Sequence, residues 1–300
     1  MIWPFENIPW QTALPAFAVE AVLYASLGSE TFRTRLERLP ATVLAAMLTA
    51  AAILPYCLAT LAFGTFEWRA LGWIALLSGS VSFWYILLPK KPAADLLLLV
   101  FMATVWLAAL FKQWYVCPYP KLNLPVLGQL MWFRTGLFSM LSIRRVQGVG
   151  FGFWPRASEW KIGTAYFAAF VPAAAILAHL IGFANPRWPS AGWERTSLAA
   201  VGTFFGILWV VALAEEFFFR GLLQQWLVSW TGSEAAGLVV ASLLFGSVHL
   251  FYRAFPNWKF AALASLAGIF YGLAFRRARS IRASMVAHAL VVTTWKIFFA

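Results

Sequence analysis

Apolar segments of membrane-spanning length recur along the whole 300-residue chain, and they constrain its fold more than any other feature. A helix needs about 20 mainly apolar residues to cross a hydrocarbon core of roughly 30 Å. Inside a bilayer the backbone must satisfy its own hydrogen bonds, so such segments become helices. The sequence therefore predicts an all-α, polytopic transmembrane helical bundle with nine or ten spans, an integral multi-pass membrane protein. The candidate spans are 10–28, 41–63, 71–89, 95–111, 161–183, 197–230, 234–252, 260–275 and 283–299.

A tenth segment, at 126–143, is ambiguous because Arg134 lies near its middle. It either crosses the membrane with Arg134 buried against the bundle or lies in the membrane interface. Counting it as a span places four basic loops on the same side of the membrane, as the positive-inside rule expects. These loops are 29–40, 90–94, 144–160 and 276–282.

The composition supports a membrane protein and argues against nucleic-acid binding. The chain is 62% hydrophobic and only 11% charged, whereas soluble domains average about 25% charged residues. Its net charge of +12 comes from basic residues grouped in short loops, not from one binding face. Such grouping is typical of cytoplasmic loops beside anionic lipid. We therefore expect the lipid bilayer as a partner and no nucleic acid.

A Gly-rich, basic stretch that begins at residue 144 divides the chain into halves of different character. Residues 1–143 are interpreted as amino-terminal transmembrane helices of unknown role. Glu20 is the only acid in mid-span there, and its simplest role is that of a helix-end residue or of a hydrogen bond to a neighbouring helix. Residues 144–300 carry the unusual ionisable residues and are predicted to form the functional core.

Ionisable side chains inside the spans of the second half are the candidate functional residues. Inserting one into a membrane costs about 2.5–3.5 kcal/mol, so each is a functional hypothesis. Glu216 and Arg220 are four residues apart, so they share a helix face and their pairing offsets part of the desolvation cost. Glu215 is rotated by about 100° from Glu216, which leaves it free to act as a general base.

Two histidines in later spans supply a second chemical group. His249 lies near the middle of its span and His288 lies in the last span. With Glu215 they can activate a water directly, the glutamate as base and a histidine as acid or orienting group. They can alternatively ligate zinc, since two His and one Glu form a known catalytic set. The spacing is not that of His-Glu-x-x-His, so we expect no cofactor and do not favour zinc.

Three motifs in the second half resemble those of the CAAX protease and bacteriocin-processing family, the type II CAAX prenyl endopeptidase-like glutamic intramembrane proteases. The first, Glu-Glu-x-x-x-Arg, lies at 215–220, and the second, Phe-x-x-x-His, lies at 245–249. The third is a histidine in the final helix, after a Gly-rich helix and a basic turn, and His288 fills that position. The resemblance covers roughly residues 145–300, so residues 144–300 are interpreted as an intramembrane protease-like catalytic core.

The resemblance implies an intramembrane endopeptidase that hydrolyses a peptide bond without a metal. In that scheme Glu215 activates a water with His249, and His288 helps to bind the oxyanion or to position the site. The expected substrate is a membrane-embedded or lipidated peptide. The residues expected to support the site structurally are Glu216, Arg220 and Phe245.

One position departs from the family pattern. Many members carry an asparagine four residues after the last histidine, where it can donate to the oxyanion, and here that position is Val292. Losing one oxyanion donor can cost about 2.7–4 kcal/mol. The alternative function is therefore a non-catalytic membrane scaffold or a peptide-toxin immunity protein that keeps the fold. A proton-coupled transporter is less favoured, because the ionisable residues are concentrated in one half of the chain.

Overall fold

The computed structural model describes residues 8–183, 189, 192–252 and 255–299. Every regular element within these ranges is a helix, so the predicted all-α class is confirmed. The chain divides into two compact units, Met1–Val146 and Gln147–Ala300.

The first unit contains seven described helices. They are α1 (Trp10–Gly28), α2 (Glu30–Leu36), α3 (Ala41–Ala62), α4 (Trp68–Leu87), α5 (Pro92–Leu107), α6 (Leu110–Trp114) and α7 (Pro125–Phe138), which continues as a π-helical turn, Ser139–Ile143. Ser29 separates α1 from α2 and caps α2, its side chain accepting a hydrogen bond from the backbone N–H of Phe32. The two helices meet at an angle of 90°. Proline begins both α5 and α7, because its fixed φ suits the first helical turn.

A buried ion pair joins α1 to α7. Arg134 donates from Nε to Glu20 Oε1 at 3.0 Å and from Nη2 to Glu20 Oε2 at 3.1 Å. Nη2 also donates to the carbonyl oxygen of Ala51 on α3, at 3.2 Å. This two-pronged geometry satisfies both charges, and the side chains are only 0–1% exposed. Glu20 therefore contacts a neighbouring helix, and Arg134 is buried against the helices of its unit.

The second unit contains five described helices. They are α8 (Ala157–Leu180), α9 (Trp193–Thr231), α10 (Glu234–Val248), which a 3₁₀ turn extends over His249–Phe251, α11 (Trp258–Ala278) and α12 (Ile281–Phe298). Side-chain caps begin three of them: Ser233 for α10, Asn257 for α11 and Ser280 for α12 each accept a backbone N–H of the first turn. Gly232 ends α9 with φ +67°, a conformation that glycine adopts without strain.

Small residues let the helices of the second unit pack closely. A Cβ on Gly163 of α8 would lie 2.5 Å from the carbonyl oxygen of Ala283 on α12. A Cβ on Gly246 of α10 would lie 2.6 Å from the carbonyl oxygen of Ala261 on α11. Glycine at such positions allows backbones to approach as they do between helices in membranes.

Six of the described helices are long and apolar enough to cross a membrane, and a seventh span results if α1 and α2 count as one broken span. The six are α3, α4, α8, α9, α10 with its 3₁₀ turn, and α11. The predicted count of nine or ten is not confirmed. The apolar helix α5 has only 16 residues, and α12 includes Arg282, His288 and Lys296. These helices indicate a multi-pass membrane protein.

Candidate active site

The two adjacent glutamates of α9 face different environments. They lie on a single α-helical turn, Leu213–Glu216, between two π-helical segments, Ile207–Ala212 and Phe217–Gln224. Glu216 is fully buried, whereas the side chain of Glu215 is 34% exposed. Interruptions of α-helix by π-helix occur frequently at functional sites. The helix thus directs one carboxylate into the protein and leaves the other accessible.

Arg220 is the main partner of Glu216. Its Nη1 donates to Glu216 Oε1 at 3.2 Å, and its Nε lies 3.2 Å from Glu216 Oε2. Nη2 donates to the carbonyl oxygen of Gly268 on α11 at 3.1 Å. Since both side chains are almost completely buried, these contacts compensate the loss of hydration of a buried charge pair.

Aromatic rings enclose the guanidinium group of Arg220. Its central carbon lies 4.5 Å from the ring centroid of Phe245 and 5.3 Å from that of Tyr271, within the range of cation–π attraction. Phe245 also packs edge-on against Phe219, with ring centroids 5.1 Å apart. Phe245 thus places an apolar ring beside the Glu216–Arg220 ion pair.

His288 on α12 lies between the two glutamates. Its Nδ1 donates to Glu216 Oε1 at 2.8 Å, and its Nε2 lies 3.9 Å from Glu215 Oε2. The imidazole stacks on Tyr271, with ring centroids 4.7 Å apart and an interplanar angle of 13°. The ring is therefore fixed on one edge by a carboxylate and on one face by an aromatic side chain.

His249 is placed next to Phe245 instead of next to a glutamate. Its Nδ1 donates to the carbonyl oxygen of Phe245 at 2.7 Å, and its ring packs against Phe245 at a centroid distance of 4.8 Å. It lies within electrostatic range of Glu215 and His288. Within the described residues it makes no hydrogen bond to Glu215. The structure thus joins Glu215 more closely to His288 than to His249.

Two contributors to the cluster were absent from the sequence-based candidates, Gly268 and Tyr271 on α11. The carbonyl of Gly268 accepts from Arg220, and Tyr271 stacks on His288. They are three residues apart and so lie on one helix face. Their position in the Gly-rich helix was the one sequence feature that could have indicated a role in the site. A tyrosine in an apolar helix, however, is usually interpreted as a packing residue.

Val292 is half-buried, one helical turn after His288. The next residue, Thr293, has a buried hydroxyl without a hydrogen-bond partner within the described residues. A hydroxyl can donate where valine cannot. The hydroxyl of Thr293 is therefore a potential hydrogen-bond donor next in sequence to Val292, the position that departs from the family pattern.

Glu216 is occupied by its neighbours, since His288 directs Nδ1 at it and Arg220 engages the same carboxylate. Among the described residues, no three His, Cys, Asp or Glu side chains are grouped as metal ligands would be.

Fold and site together define a helical membrane protein with a carboxylate–imidazole cluster buried among its helices. Residues 196–294 match the family described as type II CAAX prenyl endopeptidase Rce1-like. The resemblance expected from the three motifs is thereby confirmed over this segment, which contains every candidate site residue. Neither a curated protein nor a solved structure matches the chain.

Proposed function

We propose that the protein is a CAAX-type glutamic intramembrane endopeptidase, a peptide hydrolase that acts on a membrane-embedded or lipidated peptide. The family match supports a CAAX-type intramembrane protease, and the glutamic mechanism is our addition. The observation that carries the proposal is the carboxylate of Glu215. Its side chain is 34% exposed, and its Oε2, which is buried and has no hydrogen-bond partner within the described residues, lies 3.9 Å from His288 Nε2.

The geometry between Glu215 and His288 suits a water molecule. Because His288 donates from Nδ1 to Glu216, its Nε2 is an acceptor in the neutral ring. The carboxylate of Glu215 is also an acceptor, and 3.9 Å is too long for a direct hydrogen bond. A water that donates one hydrogen to each group satisfies both. In the proposed mechanism Glu215 takes one proton of this water, and the oxygen of the water attacks the carbonyl carbon of the peptide.

The proposed role of His249 follows from its hydrogen bond. Since Nδ1 donates to the carbonyl of Phe245, Nε2 is the nitrogen that exchanges a proton with the substrate. When protonated, it stabilises the oxyanion or gives its proton to the leaving amine, and the proton that Glu215 took from the water then restores the imidazolium. The resemblance implied that His249 helps to activate the water and that His288 binds the oxyanion or positions the site. The proposed mechanism exchanges these roles, with His288 beside the water and His249 beside the oxyanion or leaving group.

The remaining residues are proposed to position the histidine. Glu216 accepts from both Arg220 and His288 through the same oxygen, Oε1. Tyr271 covers the ring face of His288. With the imidazole held on two sides, its Nε2 stays aimed at Glu215 and little reorganisation is needed during the reaction.

The test is cleavage of a panel of membrane-spanning and lipidated peptides by the purified full chain in detergent. We expect wild type to cleave at least one peptide, and Glu215→Gln, His288→Asn and His249→Ala to lose at least a hundredfold in rate. Activity should be unaffected by a metal chelator, because no step of the proposal needs a metal. Loss of activity with chelator and its recovery with zinc would contradict the metal-free mechanism.

A non-catalytic scaffold or peptide-toxin immunity protein is the second candidate, and Val292 is the observation that favours it. The buried Glu216–Arg220–His288 cluster is compatible with either function, since it also stabilises the packing of α9 against α11 and α12. Wild-type protein that cleaves no peptide of the panel, yet binds one with unchanged affinity in the Glu215→Gln variant, would support this candidate.

A further inference from the structure

The side chain of Gln224 is a buried polar group that the proposed mechanism does not use. It lies at the end of the π-helical segment Phe217–Gln224 of α9, and the residue is only 2% exposed. Its Oε1 is buried and has no hydrogen-bond partner within the described residues. Its Nε2 donates to the carbonyl oxygen of Gly272 on α11 over a long distance, 3.5 Å. The amide is therefore only partly satisfied in the interior of the second unit.

Stability alone gives no reason for a glutamine at this position. Burying an amide oxygen without a hydrogen-bond partner destabilises the folded state. An apolar side chain of similar length, such as methionine, would avoid that cost. A buried polar group without a partner calls for an explanation, and positions that break the rules of stability are expected at functional sites. The contact of the amide with α11 supplies the explanation.

Two side chains of α9 hold successive backbone carbonyls of α11. Arg220 Nη2 donates to the carbonyl oxygen of Gly268 at 3.1 Å, and Gln224 donates to the carbonyl four residues further along. The two glycines therefore lie one turn apart on the same face of α11. The amide also packs directly on the backbone, because a Cβ on Gly272 would lie 2.6 Å from Gln224 Oε1. α11 is thus attached to α9 at two adjacent turns.

Tyr271 lies between these two points of attachment. It directly precedes Gly272 in sequence, and its ring stacks on the imidazole of His288 with centroids 4.7 Å apart and an interplanar angle of 13°. Because the two rings are nearly parallel, a small rotation or shift of α11 changes the position of the phenol ring over the imidazole. The backbone that Gln224 contacts is the part of α11 next to Tyr271. The amide is therefore placed to set the position of this ring.

We infer that Gln224 is a positioning residue, which keeps Tyr271 stacked on His288 by holding the backbone of α11. The motif at 215–220 then extends by four residues, to Glu-Glu-x-x-x-Arg-x-x-x-Gln. Within the described residues the amide of Gln224 makes no hydrogen bond to a glutamate or a histidine, so its effect on the reaction passes through Tyr271. The inference rests on the proposed function for what the positioning serves, which is to keep His288 Nε2 aimed at Glu215.

The first test is NMR of the histidine rings in the purified full chain in detergent, and it does not depend on activity. The chain has only three histidines, and His288→Asn assigns the signals of that ring. The stacked ring of Tyr271 shifts these signals through its ring current, and Tyr271→Leu removes the shift. We expect Gln224→Met to move the His288 signals towards their positions in Tyr271→Leu. Gln225→Met, the matched control, should leave them unchanged, because Gln225 donates to Gly221 within α9.

The second test compares turnover with stability. Gln224→Met should lower kcat about tenfold or more and leave KM unchanged, because the amide acts on the reacting groups and not on substrate binding. Its thermal midpoint of unfolding should equal or exceed that of wild type, because an unsatisfied amide oxygen is removed. In the Tyr271→Leu background Gln224→Met should cause no further loss of kcat, because the two residues act in series.

The inference is overturned if the His288 signals are the same in Gln224→Met as in wild type, whatever happens to the midpoint. It is also overturned if the losses of kcat in Gln224→Met and Tyr271→Leu are strictly multiplicative in the double variant. Failure of the proposed function is a separate result, shown by a Glu215→Gln variant that cleaves as fast as wild type or by a wild type that cleaves no peptide. In either case the NMR comparison still decides the role of Gln224.

Discussion

At the scale of single residues, the site depends on the different surroundings of two neighbouring carboxylates. Glu216 is fully buried and shared by Arg220 and His288. The side chain of Glu215 is partly exposed, and its Oε2 is buried without a hydrogen-bond partner within the described residues. A buried carboxylate paired with a guanidinium suits a structural role, and a partly exposed one suits proton transfer.

Replacing Glu216 by glutamine should therefore destabilise the protein, which Glu215→Gln should not do. Glu216→Gln leaves the guanidinium of Arg220 buried without its counter-charge, which costs about 3–5 kcal/mol for a pair of this kind. The unfolding free energy of both variants, measured with denaturant in detergent, provides the comparison. Equal stabilities of the two variants would contradict the assignment of separate roles.

The valine at position 292 leads to a second prediction. Val292→Asn adds a side-chain donor one turn after His288, where the family pattern has one. If the oxyanion lacks a donor there, turnover should rise at least tenfold, up to the roughly 10²–10³-fold associated with one such donor. The measurement is kcat on a cleaved peptide.

Val292→Leu, similar in shape to asparagine but without a donor, is the matched control for that experiment, and it should not raise kcat. An unchanged rate with asparagine, combined with a loss in Thr293→Val, would show that the buried hydroxyl of Thr293 already serves as the donor.

At the scale of helices, the sequence predicted pairing within α9 but not contacts between helices. The spacing of Glu216 and Arg220 is enough to place them on one face, whereas the contact of His288 with Glu216 depends on how closely α12 approaches. That approach is set by side-chain volume at positions such as Gly163. The π-helical segments around Glu215 also have no signal in apolar periodicity, because Ile207–Ala212 and Phe217–Phe219 are apolar at every position and fit an α-helix or a π-helix equally well.

Gly163→Ala tests whether this close approach positions the site. The added Cβ would lie 2.5 Å from the Ala283 carbonyl oxygen and 2.6 Å from Val286 Cβ, so α8 and α12 must separate at a cost of about 1–3 kcal/mol. We expect lower stability and, because His288 lies on α12, lower activity. Unfolding midpoint and cleavage rate are the two measurements.

Gly202→Ala is the matched control, since a Cβ there meets nothing within 4 Å. In a helix that change should be neutral or stabilising by up to about 1 kcal/mol. A Gly163→Ala variant as stable and active as Gly202→Ala would show that the contact is not required.

At the scale of the whole molecule, composition predicted the helical class, whereas the predicted number of spans is not confirmed. Apolar segments such as 95–111 are helical in the structure, but α5 has only 16 residues, fewer than the usual span. The partner of Arg134 was also beyond prediction, because Glu20 lies 114 residues away in sequence. Such a pair depends on how α1 packs against α7, and local sequence patterns do not predict which helices pack together.

The Glu20–Arg134 pair should stabilise the full chain measurably. Glu20→Gln and Arg134→Gln should each cost about 3–5 kcal/mol of unfolding free energy, because each leaves a buried charge without its partner. The double variant should cost less than the sum of the two, because no uncompensated charge remains. Strictly additive losses in a double-mutant cycle would show that the two charges are not coupled.

The 3.9 Å gap between Glu215 and His288 also bears on how the reaction responds to membrane voltage. A unit charge that crosses the whole membrane gains or loses about 2.3 kcal/mol per 100 mV. In the proposed mechanism the proton that Glu215 takes from the water moves at most the width of this gap, against a hydrocarbon thickness of about 30 Å. The electrical work is then no more than about 0.3 kcal/mol per 100 mV. Peptide hydrolysis at this site should therefore proceed at nearly the same rate in polarised and depolarised membranes.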